Sequence, residues 1–168
     1  MRHALAAGLL VLAWLPAATA QTPPQARCRQ DPLPFAASDA NRLSTDQLKQ
    51  LLTGKTLSYV REDTRNKGVY VKLSRELRAD GSFVSICEFS RSREGGWKPC
   101  QNYGSDGAVV PGHRDVGVWR IADRNFCFDH SAFKQGVCFA IHRQGAVLAA
   151  RITSGPRTYC GEGAVVVQ

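Results

Sequence analysis

The chain has 168 residues, 43% of them hydrophobic and 21% charged, with a formal net charge of +8. That balance belongs to a folded domain and excludes a disordered or low-complexity chain. The length excludes a multidomain enzyme. A domain of this size buries roughly two-thirds of its unfolded surface, so an apolar core is expected.

Residues 1–20 read as a signal peptide. Met1-Arg2-His3 is a short basic start, and Ala4 to Ala13 is an unbroken small and apolar run. Ala18-Thr19-Ala20 gives the small-x-small pattern of a cleavage site, so the mature chain is predicted to begin at Gln21. The run is shorter than the about 20 apolar residues a spanning helix needs, and no later run is longer. The sequence therefore predicts a periplasmic or extracellular protein that is not an integral membrane protein. Its Arg-, Ala- and Gly-rich usage points to a bacterial source.

Residues 21–42 hold Pro23, Pro24, Pro32 and Pro34 and read as an extended N-terminal arm pinned at Cys28. Residues 43–168 read as a single β-rich domain. Its first element is a short helix. Ser44 is the cap, Gln47 completes a capping box, and Leu43 and Leu48 form a staple across the cap. Leu48, Leu51 and Leu52 share one face, and Gly54 ends the helix.

Everything after Gly54 is strand-like. Thr56 to Val60 is a short run, and Asn66-Lys67-Gly68 is a turn. Val69, Val71 and Leu73 alternate with Tyr70, Lys72 and Ser74. Ala79-Asp80-Gly81 is a tight-turn signal before Ser82 to Cys87. A Gly-rich, basic insert runs over 91–112. Val116 to Ile121, Phe126 to Phe128, Val137 to His142, Ala146 to Ile152 and Tyr159 to Val167 complete the set. Seven or eight short strands with turns at near-regular spacing predict a small antiparallel barrel or sandwich.

The six cysteines, in a chain read as exported, predict disulfides. Cys127 and Cys138 lie in two apolar segments joined by a polar loop. Phe126 and Phe128 fall on one face, as do Val137, Phe139 and Ile141, which leaves both cysteines on the other. That parity predicts Cys127–Cys138. Cys87 and Cys100 flank a second loop and form the next pair, which leaves Cys28–Cys160 to tie the ends together. No two cysteines are close enough in sequence for a zinc site or a redox C-x-x-C, so no metal and no cofactor is predicted.

The order of short motifs resembles a group of small exported proteobacterial domains of unknown function that are lipocalin-like. Leu52-Thr53-Gly54-Lys55-Thr56-Leu57 follows the helix, and Ala79-Asp80-Gly81-Ser82 is a D-G turn. Gly117-Val118-Trp119-Arg120-Ile121 is a G-x-W strand, and Phe126-Cys127 with Val137-Cys138-Phe139 is a cysteine hairpin. The resemblance covers residues 50–153. It implies a lipocalin-like fold and no catalytic residue. The insert 91–112, with Cys87 and Cys100, departs from it.

Beyond the leader, the histidines are His113, His130 and His142. A basic nuclease would need two of them across one phosphodiester. His130 and His142 are the pair placed to approach each other, with His113 in a turn. Solvated loop and edge histidines are the commoner outcome. Asp129-His130-Ser131 holds the residue types of a hydrolase triad, but adjacent strand side chains point apart. Removing the leader takes away only one cation, Arg2, so the chain stays basic, and arginine outnumbers lysine. Arg91, Arg93, Trp97 and Lys98, with His113 and Arg114, concentrate basic and aromatic groups in and beside the insert. Such a surface favours acidic polysaccharide, lipid headgroups, acidic protein or nucleic acid. No specific nucleic-acid motif is present.

The sequence thus predicts a non-catalytic exported binding domain. It would act through an interior lined by Trp119, Ile121, Phe126 and Phe128, or through the disulfide-bounded basic loop 88–112. An enzyme inhibitor is one form of the second reading. If the interior is filled, an anionic macromolecule or protein is the expected partner rather than a small ligand. The alternatives are a small secreted hydrolase using His130 with His142 or His113, and a structural envelope protein.

Overall fold

The computed structural model describes residues 31–63, 66–103, 109–111, 114–130, 136–156, 159 and 161–168. The predicted leader, the arm up to residue 30 with Cys28, His113 and Cys160 lie outside them, and so does the expected Cys28–Cys160 bond.

Among the described residues, a 3-10 turn (Asp39–Asn41), in the arm expected to be extended, and one α-helix, α1 (Thr45–Leu52), precede eleven strands. They are β1 (Thr56–Glu62), β2 (Tyr70–Leu77), β3 (Ser82–Ser90), β4 (Lys98–Pro99), β5 (Gln101–Tyr103), β6 (Val109–Pro111), β7 (Arg114–Ala122), β8 (Asn125–His130), β9 (Val137–Gln144), β10 (Val147–Ser154) and β11 (Gly163–Val167). Eight of them form a closed antiparallel barrel in the order β1-β2-β3-β7-β8-β9-β10-β11 and back to β1. Of the two predicted architectures, barrel and sandwich, the barrel is the one that forms. Closure rests on Leu57 opposite Val167 and Ser58 opposite Val166. Thr56 and Gln168 extend it by exchanging backbone hydrogen bonds of 2.9 and 3.0 Å.

Period-two alternation selects the inner face. Leu57 and Tyr59 of β1, Leu77 of β2, Phe83 of β3, Phe126 and Phe128 of β8, and Val137, Phe139 and Ile141 of β9 are buried in one cluster. Trp119 and Ile121 pack against it, half-buried. An eight-stranded barrel is just wide enough for side chains to fill it. Register sets Phe126 opposite Phe139, Cys127 opposite Cys138 and Phe128 opposite Val137. The Cys127 and Cys138 Cα atoms are 4.0 Å apart and the disulfide forms on the outer face, as parity predicts. The Cys87–Cys100 disulfide also forms, with Cα atoms 5.3 Å apart.

Helix α1 carries its predicted cap. Gln47 N donates to Ser44 Oγ at 3.3 Å, and Ser44 N donates to Gln47 Oε1 at 2.8 Å. Leu48 and Leu52 are fully buried on the barrel core, against β7 and β8. The short turns at Arg78–Gly81, Asp123–Arg124 and Gly145 share this end with the helix. The strand ends joined by the longer connections, Glu62 and Tyr70, Ser90 and Arg114, His130 and Val137, and Ser154 and Gly163, lie at the opposite end, called the mouth below.

The segment before α1 is stitched to the helix end. Leu43 N donates to Ile141 O at 2.9 Å, and Arg42 forms a bridge with His142. Asp123 and Arg124 both adopt positive φ, 49° and 61°, as a two-residue hairpin turn requires but non-glycine residues resist. Arg42 Nη2 donates to Asp123 O at 3.2 Å, to Arg124 O at 3.4 Å and to Asn125 Oδ1 at 2.9 Å. That fan of hydrogen bonds holds the turn.

The insert differs from the Gly-rich loop expected over 91–112, because it contains β4, β5 and β6. Strand β4 pairs with β3, Glu88 opposite Pro99 and Phe89 opposite Lys98, just past the stretch of β3 that pairs with β7. Cys100 N donates to Cys87 O at 2.9 Å beside the disulfide. β5 and β6 make a separate two-stranded hairpin. The cross-link and an unused length of the β3 edge give the insert backbone partners that its composition does not announce.

The G-x-W glycine has a packing role. A Cβ on Gly117 would lie 2.5 Å from the Phe83 ring and 2.2 Å from Asp129 O. The Gly117→Ala variant is expected to lose about 1–3 kcal/mol by overpacking, read from urea unfolding curves. Replacing Cys127 and Cys138 together by alanine should cost about 2–4 kcal/mol in the same measurement.

Candidate functional site

Arg91, Arg93, Trp97 and Lys98 all lie at the mouth, between the end of β3 and β4. The backbones of Arg114, which starts β7, and of His130, which ends β8, reach the same end. His113 lies outside the described residues. His142 does not join this group. From Val137, opposite Phe128, β9 runs five residues away from the mouth to His142, roughly 17 Å at strand rise. His130 lies two residues beyond Phe128 in the other direction, so the backbones of the two histidines stand at opposite ends of the barrel.

Two of the predicted binding residues fasten the insert. Arg93 lies 3.6 Å from the Asp31 carboxylate, donates to Val60 O at 3.4 Å and stands 6.0 Å above the Tyr70 ring. Trp97 is half-buried and takes the Lys72 ammonium 5.8 Å from its ring centroid, while Lys72 pairs with Glu88 at 3.0 Å. Internal hydrogen bonds shape the segment further. Ser90 Oγ donates to Gly95 O, and Ser92 Oγ donates to Glu94 Oε2 at 2.6 Å. The Ser92 hydroxyl holds the Glu94 carboxyl below its ordinary value. Arg91 and Lys98 are exposed and form no ion pair with any described residue. The insert is therefore a braced segment that presents two cations to solvent.

Sequence reasoning missed the most unusual group, Arg75. It is 3% exposed, on the inner face of β2 between Leu73 and Leu77. Its Nη2 donates to Tyr159 Oη at 2.9 Å, and its guanidinium stacks 4.1 Å from the Phe128 ring centroid and 5.7 Å from that of Tyr59. The Tyr59 and Tyr159 hydroxyls are 3.1 Å apart. Burial, then the neighbouring Tyr159, raises Tyr59 well above the ordinary phenol range, so it stays neutral and supplies no counter-charge. Among the described residues no carboxylate pairs with Arg75, and its Nε has no hydrogen-bond partner. A buried ion without a counter-ion costs several kcal/mol, which two tyrosines and a ring face only partly offset. The signal was in the sequence: the inward parity of Leu73, carried on two residues, lands on Arg75.

The space beside Arg75 is small. A cavity of about 10 Å³, room for one water-sized particle, is lined by Leu57, Tyr59, Arg75, Phe126, Phe139, Ile141, Ala150, Gly161 and Val165. Among the described residues no group of three or more His, Cys, Asp or Glu side chains is placed to hold a metal ion. No described helix is long and apolar enough to cross a membrane. The chain matches no protein-family model and no curated protein.

His142 is buried, and its Nδ1 lies 3.0 Å from Asn41 Oδ1. Asn41 Oδ1 also accepts from Ser38 N, so the imidazole nitrogen is assigned as the donor. Burial lowers its pKa, and the Arg42 and Arg151 charges add to that against the opposing pull of the Ser38 backbone. The folded protein therefore binds this proton less readily than the unfolded chain, whose histidine titrates near about 6.5. Stability from this group is complete above that pH and falls as the pH drops through it. Thermal unfolding between pH 7.5 and 5 should show that decline in the wild type and a shallower one in His142→Gln.

Proposed function

We propose that the protein is a non-catalytic exported binding domain that recognises an anionic macromolecule through the braced insert at the barrel mouth. The observation that carries this reading is how little space the described core leaves beside its buried aromatic and aliphatic side chains. A small-ligand carrier needs a pocket of roughly 300 Å³ or more, against a cavity of about 10 Å³ here. Recognition then falls to the surface, where Arg91 and Lys98 are exposed, with no described ion-pair partner, on a segment fixed by Cys87–Cys100, Arg93 and Trp97. Pre-shaping of this kind lowers the ordering cost of binding. Exposed cations also speed encounter with an anionic partner. Export, in this reading, follows from residues 1–20 as a cleaved leader. The two disulfides fit an oxidising compartment, the periplasm or the exterior. The lipocalin-like resemblance is part of the same proposal. An enzyme inhibitor is the form it takes if the anionic macromolecule is an acidic protein.

The test uses immobilised heparin as a polyanionic probe. The oxidised protein should be retained at low salt, and the double variant Arg91→Glu, Lys98→Glu should lose about 5- to 30-fold in affinity, ~1–2 kcal/mol. Its melting temperature should not change, because both side chains are exposed and pair with no described residue. A wild type that is not retained, or a variant eluting at the same salt, would overturn the reading.

A further inference from the structure

We infer that the barrel interior holds a single small anion of halide size beside Arg75. The guanidinium is permanently protonated and almost fully buried, and no described carboxylate balances it. Its Nε donor has no partner among the described residues. Arg75 lines the cavity together with Tyr59. The remaining wall carries the aromatic carbons of Phe126 and Phe139 and small or aliphatic groups, with Gly161 and Ala150 leaving the space open. Ring edges carry partial positive charge and suit a soft, weakly hydrated anion.

Size decides the class. About 10 Å³ takes one water-sized body, which admits a monatomic ion and excludes phosphate, sulfate or the tail of a fatty acid. Charge decides against water. A water could accept from Nε, but it would leave the buried positive charge unbalanced. A second guanidinium strengthens the field. Arg61 stands on β1 two residues nearer the mouth than Tyr59, its charge acts on the Tyr59 hydroxyl, and its own Nε is buried without a partner among the described residues. Two buried guanidinium Nε groups thus stand on β1 and β2 without a partner among the described residues.

Strand register sets Asp115 opposite Ser85, which is itself opposite Arg75, so the test includes a variant at that position.

The experiment compares thermal unfolding of the oxidised protein in sodium chloride, sodium bromide and sodium gluconate at equal ionic strength. Halide should raise the wild-type melting temperature by about 4 °C over gluconate. Arg75→Met, which replaces the buried charge with an apolar side chain of similar length, should show no halide increment. Crystals grown in bromide should show an anomalous peak within hydrogen-bond distance of Arg75 Nε, and this readout needs no variant to fold. Equal melting temperatures in the three salts without a bromide peak would overturn the site. So would an Asp115→Asn variant that melts as low as Arg75→Met while the wild type ignores halide, since Asp115 would then be the counter-ion.

Discussion

The Phe128 ring sits where the inner walls of the barrel meet. Phe83, Phe126, Phe139 and Tyr159 each place a ring centroid within 6 Å of it, and the Arg75 guanidinium covers one of its faces. Strands β2, β3, β8 and β9 and the 155–162 connection therefore converge on one side chain. The volume left to an eight-stranded barrel fixes what else is tolerated. Gly117 has no side chain because the Phe83 ring occupies that space, and Ala150 is small where the cavity remains. Among the described residues the ring volumes, rather than any single hydrogen bond, set how little space remains beside Arg75.

With the interior taken up by aromatic rings, the two ends of the barrel diverge in role. The helix end is tied down by Leu48, Leu52 and the Arg42 fan over the Asp123–Arg124 turn. The mouth holds the exposed cations Arg91 and Lys98, which form no ion pair with any described residue. His142 belongs to the tied end. Its Nδ1 contacts Asn41, and its backbone bridges to Arg42.

Much of this was legible in the sequence wherever the information is local. The Ser44–Gln47 cap, the Asp80-Gly81 turn and the parity of Phe126, Cys127 and Phe128 against Val137, Cys138 and Phe139 depend on residues close in the chain, and each is where alternation puts it. The candidate site was legible in part. Arg91 and Lys98 are exposed as expected, whereas Arg93 and Trp97 serve as fastenings, because their partners Asp31, Tyr70 and Lys72 come from distant segments. Strand β4 was missed for the same reason: its partner is a stretch of β3 edge that β7 does not cover. Arg75 was missed because an arginine in an alternating strand reads as outward by habit, although the parity of Leu73 puts it on the inner face, as its register opposite Leu57 and Ser85 shows.

The wall between β1 and β10 is completed by β11 alone. Until that strand docks, the molecule carries two open backbone edges, and they belong to segments nearly 90 residues apart in the chain, Thr56–Glu62 and Val147–Ser154. Each is a ready template for strand addition from another molecule. Such distant pairing also forms late in folding. Sealing the barrel is thus a kinetic safeguard against self-association, vested in five residues of which three are valine.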